Sequence, residues 1–151
     1  MRLITIKREQ INLIEPMWLE LNQHHRNSTH QFRDYYDANT FSKRRKVLLA
    51  KDELFILVVE DGSLHVGFCV ASINLGVGEI DSLYLKPESR NQGLGESMLG
   101  MATRWLAEHG LKSARLSVGE GNEAVIGFYR KFGFKQRAIV LETSLDKSAL
   151  E

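Results

Sequence analysis

Near the start of the chain, Ile4 and Ile6 stand among polar neighbours across residues 3–7, which is the two-residue period of a strand. The period then lengthens. Met17, Trp18, Leu21 and His25 fall on one helical face, with Pro16 suited to a first turn. Residues 26–39 are polar and irregular, interleaved with Phe32, Tyr35 and Tyr36, and residues 41–49 return to the spacing of a short helix. From there the character changes. Residues 54–59 form a β-branched apolar run, Asp61-Gly62 is a hairpin signal, and residues 66–75 form a second run. Gly76-Val77-Gly78 makes another turn before a third strand over 80–85, which Pro87 ends. Leu94, Met98, Met101, Ala102, Trp105 and Leu106 then recur at helical spacing as far as Gly110, a C-terminal cap. The pattern predicts a strand over 114–118, a helix over 123–131 and a last strand over 135–145. No repeat or linker interrupts the series, so residues 1–151 are expected to form one mixed α/β domain.

Composition narrows the class. At 151 residues the chain can bury a core, and 43% hydrophobic with 26% charged residues marks a folded rather than a disordered protein. A net charge of +1 leaves no nucleic-acid footprint. The basic run Lys43-Arg44-Arg45-Lys46 reads as a solvated helix face. The first ten residues hold too short an apolar stretch for a membrane span or a secretory core, so no membrane is expected. The one cysteine, Cys69, has no partner for a disulfide. It reads as a small buried hydrophobe in a reducing cytoplasm. The five histidines show no metal-ligand spacing, so no metal is expected.

Chemistry is concentrated between Leu83 and Gly95. A strand runs through a short loop holding Gly93 and Gly95 straight into a long amphipathic helix. The first turn of a helix offers unpaired N–H groups and the positive end of its dipole, and glycines let a phosphate come close to them. Arg90 could add a charge-assisted contact. Neither the nucleoside-triphosphate loop nor the dinucleotide glycine fingerprint is present.

Arg90, Gly93 and Gly95 match in register the pattern [Q/R]-x-x-G-x-[G/A], and downstream stand Asn122 and then Phe128-Tyr129-Arg130-Lys131-Phe132-Gly133-Phe134. In both motifs, and in their order, the chain resembles the GNAT superfamily of N-acetyltransferases. The likeness covers about residues 54–145, and the first fifty residues match in pattern only. Val125 stands where the family often has Ala, a change of packing rather than chemistry. The resemblance implies a mixed, mostly antiparallel central sheet, splayed between its fourth and fifth strands and flanked by about four helices. It implies acetyl-CoA as cosubstrate. The pantetheine arm would pair along Leu83, Tyr84 and Leu85. The pyrophosphate would rest on the N–H groups of Arg90, Asn91, Gln92, Gly93, Leu94, Gly95 and Glu96. Asn122 would bond the pantetheine region, and the acetyl group would lie in the splay between residues 80–85 and 114–118.

The implied reaction is direct attack of a primary amine on the thioester within a ternary complex. It needs a neutral amine, a polarised carbonyl and protonation of the leaving thiolate. A strand N–H near Leu83 would polarise the carbonyl. Tyr129 matches the family's usual acid. Glu79 lies eleven residues before Arg90, the offset at which some members carry a base. Alternation puts Glu79, Asp81, Leu83 and Leu85 on one face, so Asp81 is a rival base and a water chain a third. The resemblance brings the acceptor in along residues 24–39, with Asp34, Tyr35, Tyr36 and Asp37 as wall residues; polyamine, amino acid, aminoglycoside and protein amines all remain open. It also implies a homodimer paired through C-terminal strands, here the apolar run Ala138-Ile139-Val140-Leu141. The competing reading is a non-catalytic acyl-CoA-binding sensor or assembly module of the same fold. Such a module would keep the glycine loop and lose the acid.

Overall fold

The computed structural model describes residues 1–146. Four strands, β1 (Arg2–Ile6), β2 (Glu53–Asp61), β3 (Leu64–Asn74) and β4 (Val77–Leu85), form a sheet in that order, and every pairing is antiparallel. The β3–β4 hairpin turns on Leu75 and Gly76, both at positive φ (51° and 76°), the geometry that matches strand twist. Asp52 Oδ2 accepts from Leu75 N at 2.8 Å and pins that turn.

Both faces of the sheet are covered, which explains why β2 and β3 read as nearly continuous apolar runs. Leu57, Val59, Cys69, Ala71 and Ile73 pack against α4 (Leu94–Glu108) through Met98, Leu99, Ala102 and Leu106. Ile56, Val58, Phe68 and Val70 pack on the other face against Met17 and Trp18 of α1 (Glu15–Ser28) and Phe41 and Leu48 of α3 (Phe41–Leu49). A 3-10 turn, Arg8–Ile14, adds Ile11 and Ile14 to this second core. A short helix, α2 (Arg33–Ala38), follows α1 and buries none of its residues. The basic run of α3 is partly absorbed by the fold. Arg44 reaches Asp81, Arg45 Nε donates to Asn12 Oδ1, and Lys43 Nζ donates to the Ala38 carbonyl.

Three expectations change beyond α4. Residues 114–118 are not a full strand. One parallel bridge, Glu79 with Arg115, joins them to β4, through Ile80 N to Arg115 O (2.9 Å) and Arg115 N to Gly78 O (3.0 Å). Past Ile80 no backbone hydrogen bond crosses between them among the described residues, which leaves a gap in the pairing. The helix expected over 123–131 is a 3-10 turn, Glu123–Val125, running into the short α5 (Ile126–Arg130). Residues 135–146 form no strand, and Ile139, Val140 and Leu141 are 73%, 88% and 89% exposed. Strand propensity describes fitness for a pleated, half-buried surface, and residues 135–146 have no such surface beside them. Among the described residues the architecture is a mixed α/β fold on an antiparallel sheet with five α-helices.

Candidate active site

The glycine loop joins β4 to α4. Gly93 is the N-cap of α4 at φ 79°, a left-handed conformation that disfavours any side chain, and Asn91 also has positive φ. Within α4 the first N–H to find a carbonyl is that of Ser97, which donates to Gly93 O. The N–H groups of residues 91–96 have no hydrogen-bond partner among the described residues. This row of bare donors at the positive end of a fifteen-residue helix fits a pyrophosphate. Gly95 is not strained: a Cβ there would make ordinary contact, 3.4 Å, with the Phe128 ring of α5. Arg90 folds back, its Nε donating to Leu85 O at 2.9 Å while its guanidinium lies 5.7 Å from the Tyr84 ring centre.

The gap begins at two carboxylates. Val70 pairs with Ser82 and Ala71 with Ile80, so Asp81 is an extra residue in a bulge of β4. The bulge overturns the single-face alternation of Glu79, Asp81, Leu83 and Leu85. Leu83 and Leu85 pack on the α4 side. Glu79 and Asp81 instead meet Lys51 and Arg44, at and just after α3. Glu79 is committed, receiving Arg115 Nε at 3.0 Å and lying 3.9 Å from Lys51 Nζ. Burial works to raise its carboxyl, but the cations Arg115 and Lys51 beside it hold it below the ordinary value. The Asp81 side chain is 0% exposed, and neither of its oxygens has a hydrogen-bond partner. Arg44 stands 3.7 Å away, too far for a hydrogen bond, and the buried Ser72 hydroxyl is likewise unpaired. Burial, reinforced by the Glu79 charge, pushes Asp81 up to about 6.

On the α4 side the half-buried Tyr129 of α5 packs edge-on against Phe128 and Phe134. Burial, and then the charge of Cys69, push its phenol up to about 12. Cys69 lies in β3 opposite Leu83 and is fully buried. Burial, and then the Asp81 charge, push its thiol up to about 12. Tyr129 and Asp81 therefore both lie within electrostatic reach of one residue beneath the gap.

On the opposite face, α1 and α2 close over the loop at 119–122. His24 Nε2 bonds Asn122 Oδ1 at 3.2 Å. Glu120 accepts from Thr29 Oγ1 and from the backbone N–H groups of His30 and Gln31. The Tyr36 hydroxyl abuts Gly119, where a Cβ would lie 2.6 Å from it. Tyr84, Arg90, Glu20, Gln23 and His24 line a cleft of about 500 Å³ beside the glycine loop. Its Glu20 is held by Tyr84 Oη and Lys86 Nζ, both at 3.0 Å. Of the expected wall residues, Asp37 is paired with Arg26 at 3.1 Å. The sequence reading missed Glu120 and the Asp81 bulge, and a single residue added to a strand of mixed apolar and polar positions leaves no compositional trace.

The acetyltransferase (GNAT) family profile matches residues 13–134. A mycothiol acetyltransferase of Acidimicrobium ferrooxidans is 31% identical over 125 residues, covering 80% of this chain and 40% of its own length. A spermidine N(1)-acetyltransferase of Thermoplasma acidophilum is 34% identical over 84 residues, covering 56% of this chain and 52% of its own. The chain thus spans about half, or less, of these curated relatives. Among solved structures, a Bacillus halodurans protein aligns with TM-score 0.75 at 15% identity, over 96% of this chain and 100% of the other. An aminoglycoside N-acetyltransferase in complex with CoA aligns with TM-score 0.65 at 14% identity, over 96% of this chain and 95% of its own. Likeness at such identities is a likeness of fold. The profile, by contrast, runs unbroken from the 3-10 turn ahead of α1, through the glycine loop, to Phe134, and on that ground the chain belongs to the GNAT acetyltransferase family.

Proposed function

We propose that this chain is an acetyl-CoA-dependent N-acetyltransferase acting on a primary amine by direct attack in a ternary complex. The observation that carries the reading is the row of bare N–H groups at 91–96, where β4 gives way to α4, with Tyr129 packed against the same core cluster as Leu83 and Leu85. Residues 90–96 would hold the pyrophosphate, Leu83, Tyr84 and Leu85 the pantetheine arm, and Asn122 would bond the arm once released from His24. Bound there, acetyl-CoA supplies a thioester carbonyl as electrophile. A β4 N–H near Leu83 polarises that carbonyl.

Of the two carboxylates, Asp81 has the properties of a base, whereas Glu79 holds Arg115 and so fixes where the gap starts. Asp81 takes the proton of the amine as the carbon–nitrogen bond forms and the carbon–sulfur bond breaks. Tyr129 donates to the departing thiolate. A phenol near 12 is a weaker acid than an ordinary thiol near 8.5, so its contribution is a hydrogen bond more than a completed proton transfer. Incubation with acetyl-CoA and a panel of amines, following free thiol, tests the proposal. Binding of acetyl-CoA with no thiol release from any amine would leave the sensor reading in its place.

Two copies are further proposed to pair through residues 137–142. Antiparallel self-pairing sets Arg137 opposite Glu142, Ala138 opposite Leu141 and Ile139 opposite Val140. Opposite charges then flank an apolar centre that is now exposed.

A further inference from the structure

We propose that Arg44 of α3 is a positioning residue for Asp81, holding the buried carboxylate in its charged form without capping either oxygen; the inference rests on the reading of Asp81 as the base. Asp81 is the extra residue of the β4 bulge, and its side chain is 0% exposed. From β3 it is faced by the hydroxyl of Ser72, itself buried and unpaired, and by the thiol of Cys69. From β4 it is faced by Glu79. Two cations near this pair are spent on Glu79, Arg115 through a 3.0 Å bond and Lys51 at 3.9 Å. Arg44 is the third, and its guanidinium makes no hydrogen bond among the described residues; it stands 3.7 Å from Asp81 Oδ1. Of the basic run at 43–46, Lys43 holds the Ala38 carbonyl and Arg45 holds Asn12, so Arg44 is the member that α3 turns toward β4.

The distance decides what this contact does. A carboxyl buried with no cation beside it keeps its proton, because burial penalises the charged form. A carboxylate that accepts a short guanidinium bond ionises readily but has lone pairs occupied, which is the state of Glu79. At 3.7 Å, Arg44 is too far for a hydrogen bond and near enough for the attraction that favours the anion. Both Asp81 oxygens therefore stay free to take a proton. Burial, with Glu79, opposes ionisation of Asp81, while Ser72 and Arg44 favour it. Without Arg44, only the Ser72 hydroxyl is left to oppose burial and the Glu79 charge. Arg44 acts through Asp81, so its loss should move a titration rather than a binding constant.

The test is to titrate the Asp81 carboxyl by carbon-13 NMR in the free protein, with Asp81→Asn to assign the signal. In parallel, kcat is recorded against pH with whichever of spermidine, kanamycin and glycinamide releases thiol from acetyl-CoA fastest. In Arg44→Met, which keeps the stem, the midpoint should rise from about 6 by about one unit or more. The acidic limb of kcat should follow, lowering turnover about twofold or more at pH 7 and restoring it near pH 9, with the KM of acetyl-CoA unchanged. Arg44→Lys, which keeps a charge without the planar fork, should bring both readings back toward wild type. Should Arg44→Met not fold, Arg44→Gln is read in the same way. A midpoint that stays near 6 in a folded Arg44→Met or Arg44→Gln protein overturns the proposal and leaves Asp81 as the base. A midpoint that moves while the limb of kcat stays overturns the reading of Asp81 as the base, and this inference with it. No thiol release from any of the three amines overturns both, whatever the midpoint does.

Discussion

Thr29 donates its hydroxyl to Glu120 at 2.9 Å across 91 residues of sequence, tying the end of α1 to the loop that carries Asn122. The next residue, Gly121, sits at φ 92° against the backbone of Ser28, with no room for a Cβ. Gly121→Ala should therefore destabilise the fold by more than about 2 kcal/mol, read from thermal unfolding. Glu120→Ala keeps the backbone and should act on binding instead. The acceptor KM should rise while the unfolding midpoint moves little, and an unchanged KM would show that the tie does not shape the site.

The two glycines of the loop should respond differently. Gly93→Ala forces a side chain into the left-handed region and should cost about 1–2 kcal/mol of stability. Gly95→Asp sets a carboxylate beside the Phe128 ring and the bare N–H groups, so acetyl-CoA binding should be lost in a folded protein. Calorimetry that finds normal affinity in folded Gly95→Asp would remove the cradle assignment.

Asp81 makes a prediction about pH. A base pushed up to about 6 must be deprotonated to act, so kcat should rise with an apparent pKa near 6. Asp81→Asn should lose that acidic limb and about 10²–10⁴ in kcat, whereas Glu79→Gln should keep the limb. Stability has the opposite sign. A raised carboxyl pKa means the folded state favours the protonated form, so wild type loses stability as pH climbs from about 4 through about 6. Asp81→Asn should accordingly be the more stable protein at pH 8, by an amount of order 2 kcal/mol, and the difference should vanish below about pH 4.

Tyr129→Phe should fold normally and bind acetyl-CoA normally, because the ring and its contacts with Phe128 and Phe134 remain. Turnover should fall by about 10²–10³, the usual effect of removing one aimed donor. Since the phenol stands near 12, it should contribute no basic limb below pH 10. A mutant that turns over like wild type would make Tyr129 a packing residue.

Val140→Lys places a charge at the centre of the exposed run. Light scattering should find wild type as a dimer at micromolar concentration and the variant as a monomer. A monomeric wild type would end the pairing proposal.

How far the sequence could be read depended on what the local pattern encodes. The helix at 41–49 and the three runs of the hairpins carry their periods locally and form as elements, although β4 starts at Val77, inside the turn expected over 76–78. The bend of the glycine loop into α4 was legible because a left-handed turn and a helix start are written in residue types and spacing. The bulge at Asp81 was not, because one inserted residue shifts every later side chain to the other face while the composition stays the same. The segment at 114–118 has the residues of a strand, yet whether it pairs is decided by its neighbours, and here β4 parts from it after one bridge. Glu120 and Thr29 are far apart in sequence, and only the fold brings them together.

The burial of Cys69 bears on how such a site would age. Under the proposed acetyl transfer the site would hold a thioester, and an accessible thiolate could attack its carbonyl, taking the acetyl group and expelling the coenzyme A thiolate. Cys69 is fully buried beneath the gap with its thiol near 12, so at neutral pH almost none of it is in the reactive form. Self-acylation by a bound thioester would thereby be suppressed in the folded state. A thiol reagent added to the native protein should register only the released product, and the single cysteine should become visible only on unfolding.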